Sequence, residues 1–108
     1  MENYVIELAK VLKKTGVSDA DFKKAIESLD DFVGKQDGFI SREGGYDEKG
    51  FWIDVVKWES LLLAKLAADN AMNSELCLKA FGAFDEQNLE MNHVIVRHLC
   101  IPADDPNN

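Results

Sequence analysis

Two histidines, one isolated carboxylate in an aromatic strip and one arginine are the side chains here whose type and position could do chemistry. His93 shares its parity with Leu89, Met91 and Ile95 in an alternating stretch, so a strand there sets the imidazole in an otherwise apolar slot. A histidine so placed suits a general base tuned near neutrality, and equally a structural role hydrogen-bonded within the core, which is the commoner use. His98 lies an odd number of residues further on and faces the other way. The two cannot easily share a metal from one strand, and adding Cys77 and Cys100 gives no zinc spacing. The sequence therefore predicts no metal.

Asp54 alternates with Trp52, Val56 and Trp58, which places a carboxylate inside a strongly aromatic face. Once buried, it must find a partner or take up a proton. Arg42, on the preceding strand, could pair with Asp54, with Glu43 or with Glu7. A structural ion pair is the favoured reading. The functional alternative makes Asp54 or His93 the base and Arg42 an anchor for an anionic oxygen. Trp52, Trp58 and Met91 are the side chains that could wall a ligand pocket, although a tryptophan of this kind more often serves the core and methionine is ordinary core filler, as is Met72. Cys77 stands among Leu76, Leu78 and Phe81 with no basic group beside it in sequence, so nothing marks its thiol as reactive. Glycine-rich phosphate loops, nucleophile elbows and helical His-Glu metal motifs are absent from the chain.

These residues must be positioned by a short series of elements. Tyr4 to Leu12 alternates with apolar residues on both parities, Val5, Ala9 and Val11 on one with Glu7 among them, and reads as a strand covered on both faces. Ser18 can cap a helix whose stripe is Phe22, Ala25, Ile26, Leu29, Phe32 and Val33, closing at Gly34. Phe39 to Tyr46 and Phe51 to Trp58 read as a hairpin around Asp47, Glu48, Lys49 and Gly50. The Gly44-Gly45 pair marks a bulge or a close approach by another backbone, which leaves Tyr46 assigned to neither face. Ser60 caps a helix with Leu62, Leu63, Leu66, Ala67 and Ala71 inward. Ser74 caps a shorter piece ending near Gly82, the two forming separate helices or one kinked element. Leu89 to Leu99 is the fourth strand. The order strand, helix, strand, strand, helix, strand is that of a ferredoxin-like α+β fold, βαββαβ, with a four-stranded antiparallel sheet and both helices on one face.

At 108 residues, with 46% hydrophobic, the chain fits a single domain, expected over 1–101, with a polar tail over 102–108. Its 20 acidic against 12 basic residues give a formal charge of −8, which argues against nucleic acid and membrane surfaces as partners. Apolar runs are short and interrupted by charge, and Met1, Glu2 and Asn3 open no basic-then-apolar leader. A cytoplasmic protein is expected, its two cysteines reduced and serving as buried or semi-buried small hydrophobes. Val5, Ala9, Val11, Ile40, Phe51, Ile53, Val55, Val94 and Val96 form more apolar surface than an open sheet face leaves in water, so a second copy of the sheet is expected to cover it.

The segment Gly38-Phe39-Ile40-Ser41-Arg42-Glu43, a polar turn, and Trp52-Ile53-Asp54-Val55-Val56-Lys57-Trp58-Glu59-Ser60 resembles the antibiotic biosynthesis monooxygenase-like family of dimeric α+β barrels. The Trp-Glu-Ser junction into a helix and His93 after Met91 look like that family's hairpin-to-helix junction and last-strand histidine. The resemblance spans Tyr4 to Leu99. It implies a homodimer through sheet faces and an apolar pocket between sheet and helices. For some members it implies oxygenation of quinols or polycyclic phenols without cofactor, the protein supplying orientation, a base and a dry pocket. The alternative is a dimer that binds a small hydrophobic ligand without transforming it, or that is purely structural. The Asn, Trp and His of haem-degrading relatives are not carried over, because Trp58 ends a strand, the histidines lie in the last strand and Asn3 is at the very terminus.

Overall fold

The computed structural model describes residues 4–103, so Asn3 and most of the expected tail, 104–108, lie outside the described residues. Its elements are β1 (Val5–Val11), α1 (Asp19–Val33), β2 (Phe39–Tyr46), β3 (Trp52–Trp58), α2 (Leu61–Ala71), α3 (Glu75–Phe81) and β4 (Glu90–Ile95), with a single 3-10 turn at Glu86–Asn88 before β4. The strands form one antiparallel sheet in the order β2-β3-β1-β4. This is the ferredoxin-like α+β fold.

Each helix begins where a serine satisfies a free amide: Ser18 Oγ accepts from Asp21 N–H at 3.0 Å, Ser60 Oγ from Leu63 at 3.2 Å and Ser74 Oγ from Cys77 at 3.2 Å. The turn Met72–Ser74 separates α2 from α3. Helix α1 turns Phe22, Ile26 and Leu29 inward, as its sequence stripe predicts. Helix α2 follows its prediction in part. Ala67 is buried and Ala71 packs against the core as expected, but Ala64 is the other buried residue, while Leu62 is 77% exposed and Leu66 is also exposed, because a helix apolar on nearly all sides is rotated by how closely its small residues approach the sheet.

Two clusters fill the space between helices and sheet. One joins Val11 to Phe22, Ile26 and Leu29 of α1, Cys77 and Ala80 of α3, and Phe84; the other joins Val5, Val56 and Trp58 to Ala64 and Ala67. Val5, Ala9 and Val11 thus lie beneath the helices, which corrects their expected place on the open face. Since β1 is apolar on both parities, only its pairing, Val5 with Trp58 and Val11 with Trp52, decides which set faces inward. The open face carries Ile6 and Leu8 of β1 beside Ile53 and Val55 of β3 and Val94 of β4. Phe51 and Val96 fall just outside the strands. The irregularity expected at Gly44-Gly45 occurs instead between Phe39 and Ser41, at Ile40. Gly44 is a close approach: an added Cβ would stand 2.5 Å from Cζ2 of Trp52 and 2.9 Å from the carbonyl oxygen of Ile53. Strand β4 ends at Ile95, short of the expected Leu99, so His98 lies beyond the ladder. Cys100 is exposed rather than buried, for the same reason.

Candidate functional site

Arg42 and Asp54 lie side by side across β2 and β3 on the helix-facing side, where Arg42 is opposite Val56 and Gly44 opposite Asp54. The guanidinium binds the carboxylate in a fork, Nε donating to Oδ1 at 3.0 Å and Nη2 to Oδ2 at 2.6 Å. Its Nη1 donates to the Ile26 carbonyl at 2.9 Å and to Asp30 Oδ1 at 2.8 Å. Burial alone would lower the Arg42 pKa, but the hydrogen bonds and charges of Asp54 and Asp30 outweigh it and hold the pKa above its ordinary value. Every guanidinium nitrogen is engaged, and the carboxylate, on a residue only 7% exposed, is matched. Of the three partners open to Arg42 on sequence, Asp54 is the one it takes, and the network ties α1 to the sheet. Both Asp54 oxygens accept from Arg42, and Arg42 has no nitrogen reserved for a ligand.

His93 has a different partner. Its register places it directly across from Glu7 of β1, and Nε2 stands 2.8 Å from Glu7 Oε2. The side chains are 19% and 13% exposed. The slot is therefore not apolar as expected, although its flanks are: Met91 and Ile95 precede and follow His93 on the same face, and Ala9 and Val5 stand opposite them. Because Glu7 is also opposite Val56, and Ala9 opposite Asp54, the two candidate acid-base residues occupy adjacent rows of one face, each with its own partner. Met91, on the same face as His93, is 49% exposed.

Trp58 packs edge-on against Phe39, with ring centroids 5.9 Å apart, and belongs to the second core cluster. Trp52 meets Tyr46 edge-on at 5.3 Å, which also puts Tyr46 on its face. Both indole N–H groups are buried without a hydrogen-bond partner. A groove of about 200 Å³ lies between the end of α1 and α2, lined by residues that include Lys35, Gln36, Leu63 and Asn70. None of His93, Asp54, Arg42, Trp52, Trp58 and Met91 lines it. Among the described residues, no three His, Cys, Asp or Glu side chains gather as metal ligands, and no helix is long and apolar enough to cross a membrane.

The sequence matches no family model and no curated protein. Solved structures do match. A protein from Bordetella bronchiseptica assigned as an antibiotic biosynthesis monooxygenase superposes with a TM-score of 0.74 at 17% identity, over 90% of this chain and 100% of that one. SnoaB from Streptomyces nogalater, described as a cofactor-independent oxygenase, does so with a TM-score of 0.67 at 13% identity, over 94% and 99%. A dimeric ferredoxin-like protein of unknown function from Jannaschia superposes with a TM-score of 0.65 at 10% identity, over 86% and 99%. This is the antibiotic biosynthesis monooxygenase-like fold.

Within that monooxygenase-like fold, the residue that sequence reasoning left out of the site is Glu7. A signal for it existed. It is the one charged residue on the parity of Val5, Ala9 and Val11, and once that parity is known to face the helices, a carboxylate there requires a partner. The partner could not be read from the sequence, because it depends on a pairing between the first and last strands, 86 residues apart.

Proposed function

We propose that this chain acts as a homodimeric, cofactor-independent monooxygenase on a small aromatic compound, with His93 as its base. The observation that carries the reading is the His93–Glu7 contact of 2.8 Å on the helix-facing side of the sheet, in an otherwise apolar strip. A neighbouring carboxylate orients an imidazole and stabilises its protonated form, which is what a base needs. SnoaB, whose fold this chain shares, is described as acting on oxygen without a cofactor. In the reaction, His93 takes a hydroxyl proton and the electron-rich substrate anion reduces dioxygen. One oxygen atom enters the product, and the other leaves as water with two hydrogens from the substrate. Met91 would form one wall, while Asp54, Arg42 and Trp58 hold the frame around the site. Two free thiols fit a reducing, cytoplasmic setting.

The dimer is supported by Ile6, Leu8, Ile53, Val55 and Val94, apolar residues that share the open face of the sheet with Lys10, Lys57 and Asn92. The Jannaschia protein of the same fold is described as dimeric. One observation favours the alternative of a ligand-binding or structural dimer: the space beneath the helices is filled by the two core clusters and the Arg42 network. Incubation in air with a panel of polycyclic phenols and hydroquinones, following oxygen uptake and product mass, separates the two. Turnover that falls by about 10²-fold or more in His93→Ala, with circular dichroism unchanged, supports the oxygenase reading. Unchanged turnover in that variant removes His93 from it. Absence of uptake across the panel, with a phenol bound and recovered unaltered, favours the binding reading.

A further inference from the structure

The open face of the sheet carries charge as well as apolar surface, and its charges balance although the chain as a whole stands at −8. Alternation puts Lys10, Glu43, Lys57 and Glu90 there, two of each sign, on the side away from Asp54 and Val56. Lys10 is matched within the chain: its Nζ stands 3.8 Å from Glu90 Oε2 and 4.2 Å from the centre of the Phe51 ring. Lys57 and Glu43 are not. The Lys57 ammonium leans towards β1, 5.6 Å from the Tyr4 ring, whereas Glu43 lies on β2, on the other side of β3. Among the described residues neither makes an ion pair.

A second copy laid on this face strips water from Lys57, already half-buried, and a desolvated ammonium requires a countercharge. The unmatched opposite charge on the face is Glu43, and any contact across a two-fold is reciprocal. We infer that two symmetric ion pairs, Glu43 of each copy with the partner's Lys57, set the register of the homodimer and make the face self-complementary. This rests on the reading of the open face as the dimer interface. The sheet lattice accommodates the pairing. Glu43 is directly across from Val55, and Lys57 follows two residues after Val55, so the two are diagonal neighbours. A two-fold axis lying between the sheets and passing midway between them sets Glu43 over the partner's Lys57 and Lys57 over the partner's Glu43. With strands about 4.8 Å apart and residues of one face about 6.6 Å apart along each strand, that axis continues past Val55 and Leu8, which are paired across β3 and β1. Both then meet their own counterparts, which gives the interface an apolar centre along the axis beside the ion pairs.

Charge exchange tests the pairing, because Glu43→Lys and Lys57→Glu each set like charges together in a homodimer, while a heterodimer of the two variants is fully matched. Native mass spectrometry of an equal mixture, one variant carrying heavy nitrogen, resolves the three dimers. Each variant alone is expected to dissociate about tenfold or more readily than the parent, and the mixture to form the heterodimer in about tenfold or greater excess over either homodimer. A chain carrying both Glu43→Lys and Lys57→Glu should recover the parent's dimer. Labelled and unlabelled parent, mixed as the control, should combine statistically. Were Glu43 and Lys57 paired within each chain, the double variant would recover as well, but the mixture of single variants would show no preference. A statistical mixture of the variants with a dimeric parent therefore overturns the inference and leaves the sheet-face dimer standing, whereas a monomeric parent overturns the dimer itself. Where circular dichroism shows that a reversal does not fold, Glu43→Gln and Lys57→Gln take its place. Each should weaken the dimer, and the two together no more than the worse single variant; additive losses overturn the pairing.

Discussion

Removing the Arg42 side chain would leave the Asp54 carboxylate buried beneath α1 with no countercharge, and that sets its cost. Breaking a buried pair from one side costs about 3–5 kcal/mol, whereas exchanging both partners for apolar residues of similar volume is often neutral. Urea unfolding should therefore show Arg42→Ala destabilised by that amount, with most of the loss recovered when Arg42→Met is combined with Asp54→Leu. Asp30→Ala should cost under about 1 kcal/mol, because that carboxylate is largely in water. A similar argument gives Cys77 a pH signature. Burial pushes its thiol above the ordinary value of 9.0, with the Ser74 hydrogen bond and the Arg42 charge acting in the opposite direction. Above that pH the unfolded chain loses a proton that the folded chain keeps, so the contribution of Cys77 is fully present below about pH 9 and is lost as pH rises. Comparing urea midpoints between pH 8 and pH 10.5 should show a steeper decline for the parent than for Cys77→Ala. Parallel curves would mean that the thiol ionises equally in both states.

Among the elements, the hairpin gives the sharpest contrast, since two adjacent glycines differ completely in what surrounds them. Gly44 lies against the Trp52 ring and the Ile53 carbonyl, while nothing stands within 4 Å of an added Cβ at Gly45. Gly44→Ala should cost about 1–3 kcal/mol through overpacking, and Gly45→Ala should stay within about 0.5 kcal/mol. Thermal melts resolve that difference easily, at roughly 4–8 °C per kcal/mol for a domain near this size. If Gly44→Ala melts with the parent, the indole does not fill that space. The same hairpin shows what sequence can and cannot disclose. The alternation of Trp52, Asp54, Val56 and Trp58 was legible, as were all three serine caps, because each depends on neighbours close along the chain. Faces and pairings were less so. β1 has apolar residues on both parities, so the side meeting the helices emerged only from its register with β3, and α2 presents leucines nearly all round, so the small Ala64 and Ala67 settled its rotation. His93 was legible as a candidate, whereas its link to Glu7 required the pairing of β1 with β4.

For the whole molecule, the question is what covers the open face of the sheet. The three helices pack against one side, and the other presents Leu8 between Val55 and Asn92, with Ile6, Ile53 and Val94 around it. A small chain gains most from burying such a surface on a second copy, and a stable interface needs about 800 Å² from each partner. Leu8→Glu would bury an unpaired charge in the middle of that contact. Leu62→Glu makes the same chemical change on the exposed side of α2 and serves as its control. Native mass spectrometry and sedimentation at micromolar concentration should give twice the chain mass for the parent and for Leu62→Glu, and a single chain mass for Leu8→Glu. A monomeric parent, or a Leu8→Glu variant that remains dimeric, removes the sheet face as the interface. Since Leu8 and Glu7 point to opposite sides of β1, the Leu8→Glu monomer should retain the His93–Glu7 contact. Loss of turnover in that monomer, with the His93 ring signals unchanged, would then assign the dimer a part in the reaction beyond positioning the base.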